Sequence, residues 1–158
     1  MRTCIFPGSF DPPSLGHIDI VRRAAALFER VVVAVMDNGM KLSSFTIEER
    51  VGMLSDCLRD LPSAEVISDG GLASALARRV GADAIVKGLR GESDCAIEAQ
   101  MAVINHQLAG IETVFFFTRP EYSHLSSTMV REVARHGGSI GGMVPADIEN
   151  TIRERFHP

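Results

Sequence analysis

An α/β fold with a doubly wound sheet of five parallel strands is predicted by three observations. Five short runs are rich in Val, Ile and Phe, amphipathic periods lie between them, and the two kinds of segment alternate along the 158 residues. The runs are continuously apolar rather than alternating, the pattern of strands covered by helices on both faces. Right-handed crossovers would return each strand to the same sheet.

The elements follow in order. A first strand is expected at 3–6, halted by Pro7, and a helix at 17–28 carries Ile18, Val21, Ala25 and Phe28 on one stripe. A strand at 31–36 leads to a helix at 46–61, opened by a Thr46/Glu49 capping box ahead of Val51, Leu54 and Leu58. After a strand at 65–67, the helix at 72–80 stops at Gly81; after the strand at 84–86, the helix at 93–109 stops at Gly110. The last strand, 113–117, precedes a helix at 126–136 ending before Gly137, and a final helix follows Pro145.

Composition limits the function. With 46% hydrophobic and 23% charged residues, the sequence reads as one domain over 1–158 with a core large enough to need no metal or disulfide. A net charge of −4 disfavours a general nucleic-acid binder. Cys4, Cys57 and Cys95 fall in no CxxC pair and read as reduced thiols. Neither a signal-peptide core nor a run of 18 apolar residues occurs, so no membrane span is expected, and the cytoplasm is the expected location.

In open α/β sheets ligands bind beyond the carboxyl ends of the strands, where the strand order reverses. The segments expected there are PGSFDPPSLGH at 7–17, Lys41, Lys87-Gly88-Leu89-Arg90, and Tyr122-Ser123-His124-Leu125-Ser126-Ser127-Thr128. The first is neither GxGxxG nor GxxxxGK[ST], which counts against a dinucleotide dehydrogenase and a P-loop kinase. Ser14 suits the cap of the first helix, Gly16 leaves room for a ligand, and His17 falls in the first turn, where N–H groups and the dipole favour an anion and a neutral imidazole. His17 reads equally as an ordinary first-turn residue. Ser126, Ser127 and Thr128 would seat a polyphosphate or merely cap a helix, and Lys41, Lys87 and Arg90 gain meaning from their joint placement.

Together, SLGH at 14–17 and LSST at 125–128 resemble the T/HxGH and ISSS/T signatures of the nucleotidyltransferase superfamily related to class I aminoacyl-tRNA synthetases. PGSFDPxxxGHxDI, FxxEER at 45–50, VKGLR at 86–90, ExQM at 98–101 and YSxxSST extend the likeness to the bacterial phosphopantetheine adenylyltransferase family, over about residues 3–156. The resemblance implies a Rossmann-like nucleotidyltransferase fold and transfer of an adenylyl group from ATP to 4′-phosphopantetheine, giving dephospho-coenzyme A and pyrophosphate. It further implies a homohexamer built as a dimer of trimers, with feedback by coenzyme A.

Roles carry over only at matching positions. Ser9 and His17 would hold the α-phosphate and the incoming phosphate, with Lys41 on the acceptor phosphate and the developing charge. Lys87 and Ala73 would contact phosphopantetheine. Phe10, Gly88, Leu89, Arg90 and Glu98 would form part of the ATP site, and Tyr122, Ser123, His124, Leu125, Ser126, Ser127 and Thr128 would hold adenine and the outer phosphates. His17, Lys41, Arg90 and Ser9 would be the catalytic set. Mg²⁺ would arrive with the triphosphate, since no carboxylate cluster is apparent for a protein-held metal.

The sequence departs from the family pattern in several places: Ser14 and Thr128 replace the usual Thr and Ser but keep a hydroxyl, Lys87 stands where many members have Arg, and Leu42-Ser43 where Lys and Pro are frequent. Asp37-Asn38-Gly39-Met40 precedes Lys41 where a Pro-containing loop is common, and Cys95-Ala96-Ile97 stands where an FEY sequence is frequent. Two rival functions remain at this point. A transferase acting on nicotinate mononucleotide or a polyol phosphate would share the fold; a cytidylyltransferase would be expected to end in an RTEGISTT-like signature in place of YSHLSST. A nucleotide sensor would keep the ATP cradle without transfer.

Overall fold

A computed structural model describes residues 2–37, 39 and 42–157. Its strands are β1 (Thr3–Gly8), β2 (Arg30–Met36), β3 (Ala64–Asp69), β4 (Ala84–Leu89) and β5 (Glu112–Phe117). The helices are α1 (Leu15–Ala25), α2 (Ile47–Cys57), α3 (Ala73–Val80), α4 (Glu92–Ala109), α5 (Ser127–Arg135) and α6 (Ala146–Phe156), with one 3₁₀ turn at Pro120–Tyr122. All pairings are parallel, in the order β3-β2-β1-β4-β5. The expected doubly wound α/β sheet is therefore observed.

Alternate residues explain the apolar runs. On one face Cys4, Phe6, Val31, Val33 and Val35 pack under Val21 of α1, Leu54 of α2, Val130 of α5 and Ile148 of α6. On the other, Ile5, Val32, Ala34 and Ile85 pack under Leu76 and Ala77 of α3 and beside Ile111. Both faces of the central strands are covered, so neither can be polar.

Local signals set most boundaries. Ser14 caps α1 and Thr46 caps α2 in a box with Glu49, while Gly81 and Gly110 end α3 and α4 at φ of 68° and 66°, where a side chain would be strained. Three strands run past their expected ends, β3 reaching Asp69. β1 runs through Pro7 to Gly8, and Lys87, Gly88 and Leu89 lie within β4 rather than after it.

For β1 and β4 the reason is a divergence at the centre of the sheet. β1 and β2 pair over six residues and so do β4 and β5, whereas β1 meets β4 only at Cys4↔Ala84 and Ile5↔Ile85. Pro7 has no N–H to donate and sits where β1 has already parted from β4. This parting is the point at which the strand order reverses, and it opens the crevice that such sheets use for ligands.

Candidate active site

A cleft of about 580 Å³ occupies that crevice. Ser9, Phe10 and His17 line it from the end of β1 and the start of α1, Lys87, Gly88 and Arg90 from β4 and beyond, and Glu98 from α4. Tyr122, Leu125, Ser126, Ser127 and Thr128 close the β5 side. Leu89, Ser123 and His124 belong to the same segments but lie outside the lining, as does Ala73, which packs against the second core. The expectation for Lys41 falls outside the described residues.

His17 is fixed by local helix chemistry. It is the third residue of α1, and with Ser14 it closes a capping box: Ser14 Oγ accepts from the His17 N–H at 3.4 Å, and His17 Nδ1 accepts from the Ser14 N–H at 3.0 Å. An accepting Nδ1 puts the proton of a neutral ring on Nε2, leaving a donor. Burial, helped by the positive charges of Arg90 and Lys87, lowers the His17 pKa to about 4, so the ring is neutral near pH 7. Phe10 meets it edge to face, ring centroids 5.0 Å apart. Phe10 itself is 2% exposed and holds φ at 49°, a conformation that residues other than glycine rarely adopt.

The cations are held in advance. Arg90 donates through Nε to Asp94 Oδ2 at 2.9 Å and through Nη2 to Oδ1 at 3.2 Å, and its backbone N–H also reaches Oδ2 at 3.1 Å. Those bonds hold the Asp94 carboxyl below the usual aspartate range. Lys87 Nζ lies 3.3 Å from Glu98 Oε1, one helical turn beyond Asp94 on α4. Cys95, Ala96 and Ile97 lie between these two acids in sequence, and none of the three lines the cleft.

The hydroxyl triplet divides its work. Ser126 caps α5 by accepting from the Met129 N–H at 3.1 Å, Ser127 Oγ donates to Pro12 O at 2.8 Å, and Thr128 Oγ1 accepts from Arg131 at 3.3 Å. Capping therefore accounts for Ser126, and Ser127 has its donor engaged on the β1–α1 turn. What α5 offers an anion is its open N-terminus, the N–H groups of Ser127 and Thr128.

Four charged lining residues lie outside the set given a role from sequence: Asp11, Arg50, Asp94 and Arg131. Arg131 had a signal, since it follows Thr128 by three residues on one helix and so shares its face. Arg50 is 2% exposed; it closes the FxxEER motif at 45–50, which was given no site role from sequence. The described lining thus carries four arginines and lysines against three carboxylates, in a chain whose net charge is −4. Such a cleft suits a polyanion.

The carboxylates bear on metal binding. Asp11 accepts two backbone N–H groups, Asp94 holds Arg90, and Glu98 faces Lys87. Among the described residues no group of three His, Cys, Asp or Glu side chains could hold a metal ion.

The Cytidylyltransferase-like family model matches residues 5–133. A phosphopantetheine adenylyltransferase of Frankia casuarinae is 48% identical over 99% of this chain and 99% of its own length. Another, from Caldanaerobacter subterraneus subsp. tengcongensis, is 44% identical over 99% of this chain and 98% of its own. The solved structure of a bifunctional NMN adenylyltransferase/ADP ribose pyrophosphatase from Francisella tularensis matches with a TM-score of 0.73 at 13% identity, covering 97% of this chain and 49% of that one, a likeness of fold. With identity of this order spread over nearly the whole length and a cleft built from the motif residues, the chain belongs to the phosphopantetheine adenylyltransferase family.

Proposed function

We propose that this chain transfers the adenylyl group of ATP to 4′-phosphopantetheine, forming dephospho-coenzyme A and pyrophosphate. The observation that carries the reading is the pairing of a neutral, Nε2-donating His17 with restrained cations in a cleft at the strand-order reversal. An acceptor phosphate is ionised at neutral pH, so one of its oxygens can attack the α-phosphorus without a base. The new phosphorus–oxygen bond forms as the bond to the bridging oxygen breaks, and the electron pair leaves with pyrophosphate.

The remaining work is positioning and charge stabilisation. In this reading His17 Nε2–H donates to an α-phosphate oxygen, Arg90 balances the charge that grows on the triphosphate, and the N-terminus of α5 takes the β- and γ-phosphates. Ser9 and Lys41 hold the acceptor phosphate, with Lys87 toward the rest of the acceptor. Phe10, Gly88, Glu98 and Tyr122 shape the nucleotide side. Mg²⁺ supplies charge neutralisation as a complex of the triphosphate, in keeping with cleft carboxylates that are already engaged by the protein's own donors.

Association accompanies the reading. Ile97, Met101, Val103, Ile104 and Leu108 of α4 are all exposed, an unusual density of apolar surface for one helix, and a homohexamer built as a dimer of trimers would cover it. No helix among the described residues is long and apolar enough to cross a membrane. We place the enzyme in the cytoplasm, where thiols such as those of Cys4, Cys57 and Cys95 stay reduced, and subject to feedback by coenzyme A.

The test is product identification by mass after incubation with ATP and Mg²⁺ in three tubes, containing 4′-phosphopantetheine, nicotinate mononucleotide or glycerol 3-phosphate. Dephospho-coenzyme A with pyrophosphate in the first tube alone is expected. Turnover of another acceptor would overturn the substrate assignment, and ATP binding with silence in every tube would favour a nucleotide sensor.

A further inference from the structure

Two loops border the β1 and β2 side of the cleft: the turn at 9–13 that follows β1, and the segment at 42–46 that leads into α2. They are joined by a reciprocal pair of charged side chains. Asp11, in the first loop and 7% exposed, accepts the Ser44 N–H at 2.8 Å and the Phe45 N–H at 2.9 Å on its two oxygens. Arg50, from α2 and 2% exposed, reaches back to donate through Nη1 to Ser9 O at 2.9 Å. Its Nε meets Phe45 O at 3.1 Å and Thr46 O at 3.3 Å.

Each charge therefore reaches the other loop's backbone, while Asp11 Oδ2 also lies 3.9 Å from Arg131 Nη1 of α5. Among the described residues Arg50 makes no ion pair, so carbonyl oxygens are its partners. A buried charge solvated by backbone dipoles is an expensive way to hold two loops together, and apolar packing would serve adhesion better. What this arrangement adds is direction, because two fixed acceptors and a planar fork admit one separation and one orientation of the loops.

In the functional reading above, the loops so fixed border the place given to the acceptor phosphate. Ser9 lines the cleft, and residue 42 follows Lys41 directly in sequence. We infer that Asp11 and Arg50 are positioning residues for adenylyl transfer, which set the Ser9 turn against the segment after Lys41 and thereby seat the acceptor phosphate, without serving ATP binding. This inference rests on the functional reading above.

Asp11→Asn keeps shape but replaces one acceptor oxygen by an NH₂ that faces an N–H donor. Arg50→Lys keeps charge but loses the fork. For wild type, both variants and the double variant, kcat/KM for 4′-phosphopantetheine at saturating ATP, the Kd for ATP by calorimetry and thermal melting are measured. Each single variant is expected to lose about tenfold or more in kcat/KM for the acceptor while ATP affinity changes less than about twofold. The double variant is expected to lose no more than the worse single one, because the two side chains form one device.

ATP affinity falling in step with the acceptor parameter would overturn the inference, as would folded variants with the wild-type acceptor parameter or losses that multiply in the double variant. Should a variant lose its cooperative melt, amide exchange on wild type decides. Slower exchange at Ser44 and Phe45 on adding 4′-phosphopantetheine, and not on adding ATP, is expected; equal response to both, or none, would overturn it. Wild-type protein that makes no dephospho-coenzyme A defeats the functional reading itself, a result read before any variant is made.

Discussion

Asp94 holds Arg90 at three points, taking its Nε–H, its Nη2–H and its backbone N–H on one carboxylate. The guanidinium is thus oriented at the mouth of the cleft before any anion arrives, and preorganised charge needs no rearrangement during reaction. Asp94→Asn should keep one of these acceptors and release the fork. We expect KM for ATP to rise about tenfold and kcat to fall by a similar or smaller factor, measured by steady-state pyrophosphate release with ATP as the varied substrate.

His17→Ala should remove the Nε2 donor, together with the Nδ1 half of the α1 capping box and the edge-to-face contact with Phe10. Loss of one preorganised donor at a developing charge costs roughly 10²–10³-fold in kcat, whereas ATP affinity should fall far less, because the contact strengthens in the transition state. Titration calorimetry beside turnover assays separates the two. Equal losses would assign His17 to ground-state binding.

The same residue sets a pH dependence of stability. Its pKa falls from 6.5 to about 4 on folding, so between those values the unfolded chain binds a proton that the folded one refuses. The contribution is complete above pH 6.5 and is lost as pH falls toward 4. Melting temperatures across that window should decline in wild type and decline less in a His17→Gln variant.

Gly8→Ala tests the wall behind His17. A Cβ at that position would lie 3.0 Å from the Phe10 ring, which has 2% exposure and no room to retreat. Overpacking of this kind costs about 1–3 kcal/mol, a melting temperature lower by several degrees for a chain of this size. Since Phe10 also braces His17 edge to face, kcat should fall with it.

Met101→Glu places a charge amid the exposed apolar residues of α4, with Met101 itself 41% exposed. Sedimentation should show a smaller assembly than wild type, at unchanged circular dichroism. An unchanged sedimentation coefficient would count against burial of α4 between copies.

The chemistry-bearing segments were readable because they coincide with strong local signals. Ser14, Thr46 and Ser126 are helix caps, Gly81 and Gly110 are helix stops, and the apolar runs are strands closed on both faces. Asp11 and Arg50 stand in the PGSFDP and FxxEER motifs but received no role, since the bonds that join the two loops reach backbone atoms more than 30 residues away and burial turns an ordinary surface charge into a tether. The end of β4 was placed too early for a related reason: Lys87 and Gly88 look like loop residues, yet pairing with Phe115 and Phe116 continues the strand. The role of Ser127 differed too, as only the folded chain brings Pro12 O within reach of its hydroxyl.

The divergence of β1 from β4 after Ile5 and Ile85 makes the hollow from the course of the main chain rather than from missing side-chain volume. Trimming or enlarging core residues on either face of the sheet leaves that gap in place, and residues at its rim can be exchanged while the packed layers beneath stay untouched. Exchange of exposed rim residues can therefore change the molecule accepted at little cost in melting point, whereas Phe6, Phe10 and Ile20 line the hollow and belong to the core at once.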